Sequence, residues 1–236
     1  MIFLRSLAFS LALLLITPPY SIIALAAFPL PPQKRWKLIS GWSRIVMWLS
    51  KTILALGYRV EGLENLPREP AIVLSKHQSA WETIAFQLIF PPHVHVLKRE
   101  LLWIPFFGWG LALMSPIAID RSRGTGALKR MAGRGLQRIA QGFWIVIFPE
   151  GTRVRPGARG RYRVGGAWLA TRLGAPVVPV AHNAGLYWGR NAFLKRPGEI
   201  TVEIGAPIRP AGLSPEALNA KTEEWIESRM AVLCPA

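Results

Sequence analysis

Cysteine is nearly absent from this chain: the single one in 236 residues is Cys234, two positions from the end. It permits no internal disulfide framework and no CxxC metal pattern, and a reducing compartment is the simpler setting. Acid is scarce as well. There are 13 Asp and Glu against 29 Lys and Arg, a formal charge of +16 that calls for an anionic partner such as lipid headgroups, a phosphorylated substrate or nucleic acid. The GxSxG elbow of a serine hydrolase and the HExxH of a zinc protease are both missing. No internal repeat is evident, and the length suits one globular domain with an appendage.

Charge disappears altogether between residues 6 and 33, where Leu, Ile, Ala and Phe dominate. Such a run belongs in or on a membrane. A cleaved signal peptide is the rival, given Arg5, the apolar run and small residues near positions 24–27, but the basic, cysteine-poor chain behind it favours retention. Pro18 and Pro19 interrupt the run and Pro29, Pro31 and Pro32 close it. The two pieces left are about a dozen residues each, short of the ~20 a span requires, so a helical hairpin in one leaflet and a single kinked span both fit. Lys34, Arg35 and Lys37 follow, with Trp36 and Trp42 nearby, as an anionic interface demands. The expectation is a membrane-associated helical segment over residues 1–58, and a domain over 59–236 on the cytoplasmic face of the cell inner membrane.

Beyond residue 60 short apolar runs alternate with longer helical patterns, which predicts an α/β domain: a central, mostly parallel sheet flanked by helices. Strands are expected near residues 71–75, 95–97, 116–119, 144–148, 177–180 and 200–204, and helices over 79–90, 125–141, 166–173 and 215–230. Ser214 and Pro215 supply an N-cap and a first helical residue for the last.

Two polar segments each follow an apolar run: HQSAWE from His77 and FPEGTR from Phe148. His77 should stand at the carboxyl end of a strand, where open α/β sheets bind ligands. In a continuous helix five residues turn roughly 140°, so His77 meets Glu82 only from the preceding turn. There the carboxylate would fix the imidazole tautomer and steady an imidazolium. The same letters also spell a capping box, Ser79 with Glu82, in which His77 is only a polar loop residue. A metal site using His77 and Glu82 with His93 and His95 is the weaker alternative, and His182 reads as a satisfied residue at a sheet end. In FPEGTR, Gly151 permits a turn with N–H groups free for an anion, and Arg153 adds a planar fork for phosphate oxygens. Glu150 is assigned to holding Arg153, orienting the loop or meeting an acceptor hydroxyl. A polar surface turn is the plainer alternative.

KHQSAWE and FPEGTR, together with LKRELLWIPFFG from Leu97, IDR from Ile119 and VVPVAHN from Val177, resemble the four ordered blocks of the glycerolipid acyltransferase family over roughly residues 60–210. The resemblance implies that His77 is the general base of an HX4D motif in which Glu82 stands for the aspartate, a departure one methylene longer. It implies that Glu150, Gly151, Thr152 and Arg153 bind the acceptor's glycerol phosphate, with Lys98 and Arg99 adding to phosphate or cosubstrate binding. Arg163 stands where many members carry a lysine, and Pro179 matches the fourth block's proline. The reaction implied moves a fatty acyl group from an acyl thioester, acyl-CoA or acyl carrier protein, to the sn-2 hydroxyl of lysophosphatidic acid, giving phosphatidic acid, with glycerol 3-phosphate or another lyso-lipid as the alternative acceptor within the family. It needs no bound cofactor and no metal.

The remaining charge suits a membrane surface. Arg130, Arg134 and Arg138 make a stripe that reads as a solvated helix face, and Arg153, Arg155, Arg159, Arg161 and Arg163 crowd one loop that reads as a lipid contact. Trp103, Phe106, Phe107 and Trp109 read as packing or interface residues. Two other classes remain: a tethered nucleic-acid binder, which lacks an aromatic-basic reading motif, and a silent membrane scaffold, for which the Glu82 departure speaks.

Overall fold

Three apolar runs, Ile72–Ser75 (β2), Trp144–Ile147 (β5) and Val177–His182 (β6), are buried along their whole length. Continuous rather than alternating burial requires cover on both faces, which is the condition of a parallel sheet with helices on either side. A computed structural model describes residues 1–119 and 124–235. The other strands are Leu56–Glu61 (β1), His93–Lys98 (β3), Ile117–Ile119 (β4) and Gly198–Ile204 (β7), and the order across the sheet is β1-β7-β6-β2-β5-β3-β4. Every neighbouring pair is parallel except β6 with β7, so the expected α/β class with a mostly parallel sheet holds. Pro179 lies at the switch between the two pairings, where its carbonyl accepts the Gly205 N–H at 2.9 Å.

The helices are Ile2–Ala26 (α1), Pro32–Ile39 (α2), Gly41–Ile53 (α3), Trp81–Ile89 (α4), Phe107–Leu113 (α5), Gly124–Ala140 (α6), Gly165–Leu173 (α7), Ala184–Tyr187 (α8) and Pro215–Leu233 (α9). Ser214 caps α9 as expected, its hydroxyl accepting from Ala217 N at 3.2 Å. β1, α5 and α8 were not expected from the sequence. The division drawn between residues 58 and 59 falls inside β1, whose alternating Leu56, Tyr58 and Val60 suit an edge strand paired with β7.

Residues 6–32 do not fold back as a hairpin. Ile2–Ala26 is one continuous helix through Pro18 and Pro19, long and apolar enough to cross a membrane, and residues 27–31 link it to α2. One side of α1 is seated on the domain. Phe9 is fully buried edge-on to Trp188, the Ser6 hydroxyl accepts from Lys195 N at 2.9 Å, the Thr17 hydroxyl accepts from Trp42 Nε1 at 3.3 Å and the Ser21 hydroxyl donates to Phe106 O at 3.0 Å. The other side, with Leu11, Leu14, Leu15, Ile22 and Ile23, is exposed. Trp103, Phe106, Phe107 and Trp109 are exposed too, which makes them surface rather than core. An apolar surface of this extent marks contact with lipid, and the protein is membrane-associated.

The basic stripe on α6 is not wholly a solvated face. Arg138 donates to Ser115 O at 3.0 Å and to Gln141 Oε1 at 2.8 Å, and Arg134 reaches Ala118 O at 3.4 Å. In the Arg-rich loop, Arg159 is tied to Glu223 of α9 at 2.6 Å.

Candidate active site

His77 leaves the sheet two residues after β2, at the carboxyl edge where β3 and β5 also end. Its Nδ1 lies 2.8 Å from Glu82 Oε1 in the first turn of α4, and its ring stacks on Phe148 with centroids 4.0 Å apart at 15°. The helix begins at Trp81 rather than residue 79, because Ser79 Oγ accepts from Trp81 N at 3.1 Å and keeps residues 77–80 in a turn. Glu82 Oε1 also accepts from Gln78 N at 2.9 Å and Ser79 N at 2.8 Å. Glu82 therefore holds the histidine and accepts the Ser79 main-chain N–H with one oxygen, but the expected capping box is only half formed: the N-cap is Ala80, and the Ser79 hydroxyl accepts from Trp81 N rather than Glu82 N.

Burial alone would push the Glu82 carboxyl up, but His182, His77 and the Ser79 N–H hold it below the ordinary carboxylate range. His182 is itself pushed down by burial and thus neutral, so the hydrogen bonds from His77, Gln78 and Ser79 keep Glu82 ionised. An ionised Glu82 accepts a hydrogen bond from Nδ1–H, which keeps the proton on Nδ1 and leaves Nε2 of His77 as the bare nitrogen. His182 is satisfied as expected: Nε2 donates to Lys76 O at 2.9 Å and Nδ1 accepts from Ala184 N at 3.3 Å.

The turn after β5 takes a different form from the anion cradle expected. Gly151 has φ +68°, the left-handed conformation that favours glycine, but its N–H donates to Phe148 O at 3.0 Å and so closes the turn. Glu150 turns away from Arg153. One oxygen pairs with buried Lys76 at 2.8 Å and the other accepts His77 N at 2.9 Å, so of the three roles expected for it, orienting the loop is the one its contacts serve. Burial pushes the Glu150 carboxyl up, with Lys76 and the His77 N–H pulling against it and Glu227 adding to the rise.

His77 opens onto a cavity of about 620 Å³. One part of its wall is polar, with His77, Thr152, Arg153, Lys98, Arg190 and Asn191. The rest is mostly apolar and drawn from α1, α3, α4, β3 and α5, including Ala24, Trp42, Ile84, Leu97, Phe107 and Met114. Such a cavity accommodates a chain-like apolar ligand with an anionic head beside the imidazole. Of the residues expected to meet substrate, Lys98, Gly151, Thr152 and Arg153 line it, whereas Glu150, Arg99 and Arg163 do not. Arg99 and Arg163 are exposed, and Pro179 lies back in the sheet. Asp120 and Arg121 of the IDR block fall outside the described residues. Among the described residues no three His, Cys, Asp or Glu side chains come together as a metal would require. His93 is occupied with Pro91 O at 3.0 Å.

A family model described as Acyltransferase matches residues 57–183, more than half of the chain. A 1-acyl-sn-glycerol-3-phosphate acyltransferase of Pseudomonas aeruginosa is 46% identical over 210 residues, covering 87% of this chain and 82% of its own. The chain belongs to the Acyltransferase family. A more distant relative, the alpha 1-acyl-sn-glycerol-3-phosphate acyltransferase of Mus musculus, is 26% identical over 193 residues, covering 80% of this chain and 68% of its own. The fold is shared with the crystal structure of the 1-acyl-sn-glycerophosphate acyltransferase PlsC of Thermotoga maritima. Their TM-score is 0.80 at 23% identity, covering 99% of this chain and 96% of that one.

This acyltransferase also places on the cavity two residues that no sequence motif indicated. Arg190, whose guanidinium donates to Arg153 O at 3.1 Å, and Asn191, which accepts from Arg153 at 3.5 Å, come from the loop after α8. A lone basic residue in a turn carries no periodic or motif signal. Lys76 stood beside the histidine in the sequence, but only the fold shows that it is 1% exposed and paired with carboxylates from two other segments.

Proposed function

We propose that this enzyme transfers a fatty acyl group from an acyl thioester to the sn-2 hydroxyl of 1-acyl-sn-glycerol 3-phosphate, forming phosphatidic acid for phospholipid synthesis. The observation that carries the reading is the His77–Glu82 contact of 2.8 Å opening onto a cavity that is cationic beside the imidazole and apolar beyond it. The lysolipid phosphate lies against Arg153 and Lys98, with Arg190 close by, and the donor's acyl chain runs between α1, α4 and α5. Nε2 of His77 removes the hydroxyl proton as that oxygen attacks the thioester carbonyl, and Glu82 steadies the imidazolium. The tetrahedral intermediate collapses by breaking the C–S bond, and the departing thiolate takes the proton back from His77. An ester C–O bond replaces the thioester C–S bond and a free thiol leaves. The thioester supplies its own activation, so no acyl-enzyme, bound cofactor or metal enters the sequence of steps.

The names of the relatives support the acceptor. The donor is acyl-CoA or acyl carrier protein, whose anionic character suits Lys98, Arg153 and Arg190 on the cavity wall. The exposed face of α1, with Lys34, Arg35 and Lys37 following it, supports a seat on an anionic inner-membrane leaflet with the catalytic domain on the cytoplasmic face.

Thiol release from acyl-CoA in vesicles containing lysophosphatidic acid, with the product lipid identified, tests this directly. Wild type should release thiol in step with phosphatidic acid, and His77→Ala should lose on the order of 10²–10⁴ in turnover at unchanged melting temperature. Robust turnover by His77→Ala would remove the imidazole from the chemistry. Binding of lysophosphatidic acid without thiol release by wild type would favour a silent scaffold.

A further inference from the structure

The family match ends at residue 183, yet α9, beyond it, sends a carboxylate to the base of the site. Lys76 Nζ donates to Glu227 Oε1 at 2.8 Å and to Ala158 O at 3.2 Å, and is ion-paired with Glu150 Oε1 at 2.8 Å. The Tyr162 hydroxyl donates to the same Glu227 oxygen at 2.7 Å. Glu150 then passes the constraint on, because its second oxygen accepts the His77 main-chain N–H at 2.9 Å. The His77 carbonyl in turn accepts Val154 N at 2.7 Å, closing the two polar segments on each other. A continuous line of contacts thus runs from α9 to the residue that carries the imidazole: a hydrogen bond from Lys76 to Glu227, an ion pair between Lys76 and Glu150, and a hydrogen bond from the His77 main chain to Glu150.

None of Lys76, Glu150, Tyr162 or Glu227 lines the cavity, so none of them meets substrate. Nor is packing a sufficient reason for them. A buried ion pair is no more stabilising than well-packed apolar residues of the same volume, but it holds its members to one geometry, and removing one member leaves the other charged and unpaired. Here the geometry held is the spacing between the His77 turn and the loop that carries Arg153.

We propose that Glu227 is a positioning residue for acyl transfer: through Lys76 and Glu150 it keeps the His77 main chain and the 148–153 turn in register. The inference rests on the acyl-transfer reading above. Misplacement of reacting groups by about 1 Å is enough to lower a rate by orders of magnitude, so the register matters for catalysis more than for folding.

The test uses the full chain in vesicles, measuring thiol release with lysophosphatidic acid and acyl-CoA varied in turn, together with melting temperature. Glu227→Ala should lower kcat about tenfold or more and raise KM for lysophosphatidic acid severalfold, with KM for acyl-CoA unchanged. Glu227→Gln, which keeps an oxygen for Lys76 and Tyr162, should recover most of both losses. Tyr162→Phe should move the same two constants in the same direction by less, at an unchanged melting temperature, and it serves as the test where Glu227→Ala does not fold. Variants within twofold of wild type would overturn the inference while leaving the acyl-transfer reading intact. So would activity lost only in proportion to the folded fraction, with both KM values unmoved. A wild type that releases no thiol overturns both.

Discussion

One oxygen of Glu82 serves His77 Nδ1, Gln78 N and Ser79 N, all within 2.9 Å. Three donors fix that oxygen in space, and the length of the glutamate side chain fixes how far from α4 it stands. Aspartate, the residue that the motif's usual form would have here, is shorter by about one C–C bond and cannot reach all three from the same helix position. Glu82→Asp should therefore lower kcat about tenfold, because orientation of the imidazole is lost while the negative charge remains. Thiol-release kinetics check this, and wild-type turnover in Glu82→Asp would mean that the His77 turn follows the carboxylate. The pairing of His77 with Glu82 was legible in the sequence as one of the readings the spacing allows, beside a capping box, and the resemblance to the acyltransferase blocks chose between them. The commitments of Glu150 were not. Nothing local distinguishes a glutamate that faces Arg153 from one that faces Lys76, since that choice depends on α9 arriving from far along the chain.

The central strands were easy to read for a related reason. β2, β5 and β6 are buried throughout and apolar but for the terminal Ser75 and His182, and a run buried on both sides needs no partner's identity to declare itself. β1 alternates on a polar edge and α5 is 7 residues long, too short for its period to stand out. The largest departure concerns α1. The charge-free run was expected in or on a membrane as two short pieces or a kinked span, yet it is one helix whose Ser6, Phe9, Ser21 and Ala24 are buried against the domain. Small and hydroxylated residues at helical spacing allow that close approach, and they are the signal that total apolarity conceals. Because Thr17, Tyr20, Ser21 and Ala24 line the cavity, α1 is part of the site as well as its membrane seat. Thr17→Trp should then narrow the acyl part of the cavity and shift products toward shorter chains. Each buried methylene is worth ~0.8 kcal/mol, so excluding about two should lower use of the longer donor roughly tenfold relative to a shorter one. Competition between two acyl-CoA lengths, read by product mass, measures that ratio. An unchanged ratio would mean that the chain does not pass α1.

Stability of the assembled molecule should respond to acid through its buried imidazoles. Burial pushes His93 down to about 4, and burial with the fields of His93 and His77 holds His95 well below its ordinary range. Burial also lowers His182, against Glu82 and the Lys76 carbonyl. Each stays neutral in the folded protein while its unfolded counterpart takes a proton near pH 6.5. The unfolded state therefore binds more protons below that pH, and stability falls as pH drops from about 6.5 toward 4, by up to ~1.4 kcal/mol per pH unit for each histidine. Glu82 acts lower down. Its carboxyl is depressed in the folded state, so its contribution is complete above the ordinary value near 4.3 and is lost as pH falls through its lower folded value. Glu150 opposes the trend, since a raised carboxyl costs stability at neutral pH and that cost is relieved on acidification, but it is one group against three. Urea midpoints in mild detergent should fall steadily between pH 6.5 and 4.5. His93→Phe keeps the ring among Trp36 and Phe90 while removing one titrating group, and should flatten that slope by about one third. A midpoint independent of pH over this interval would mean that the imidazoles take up protons without unfolding, and so that the core around β3 opens to water.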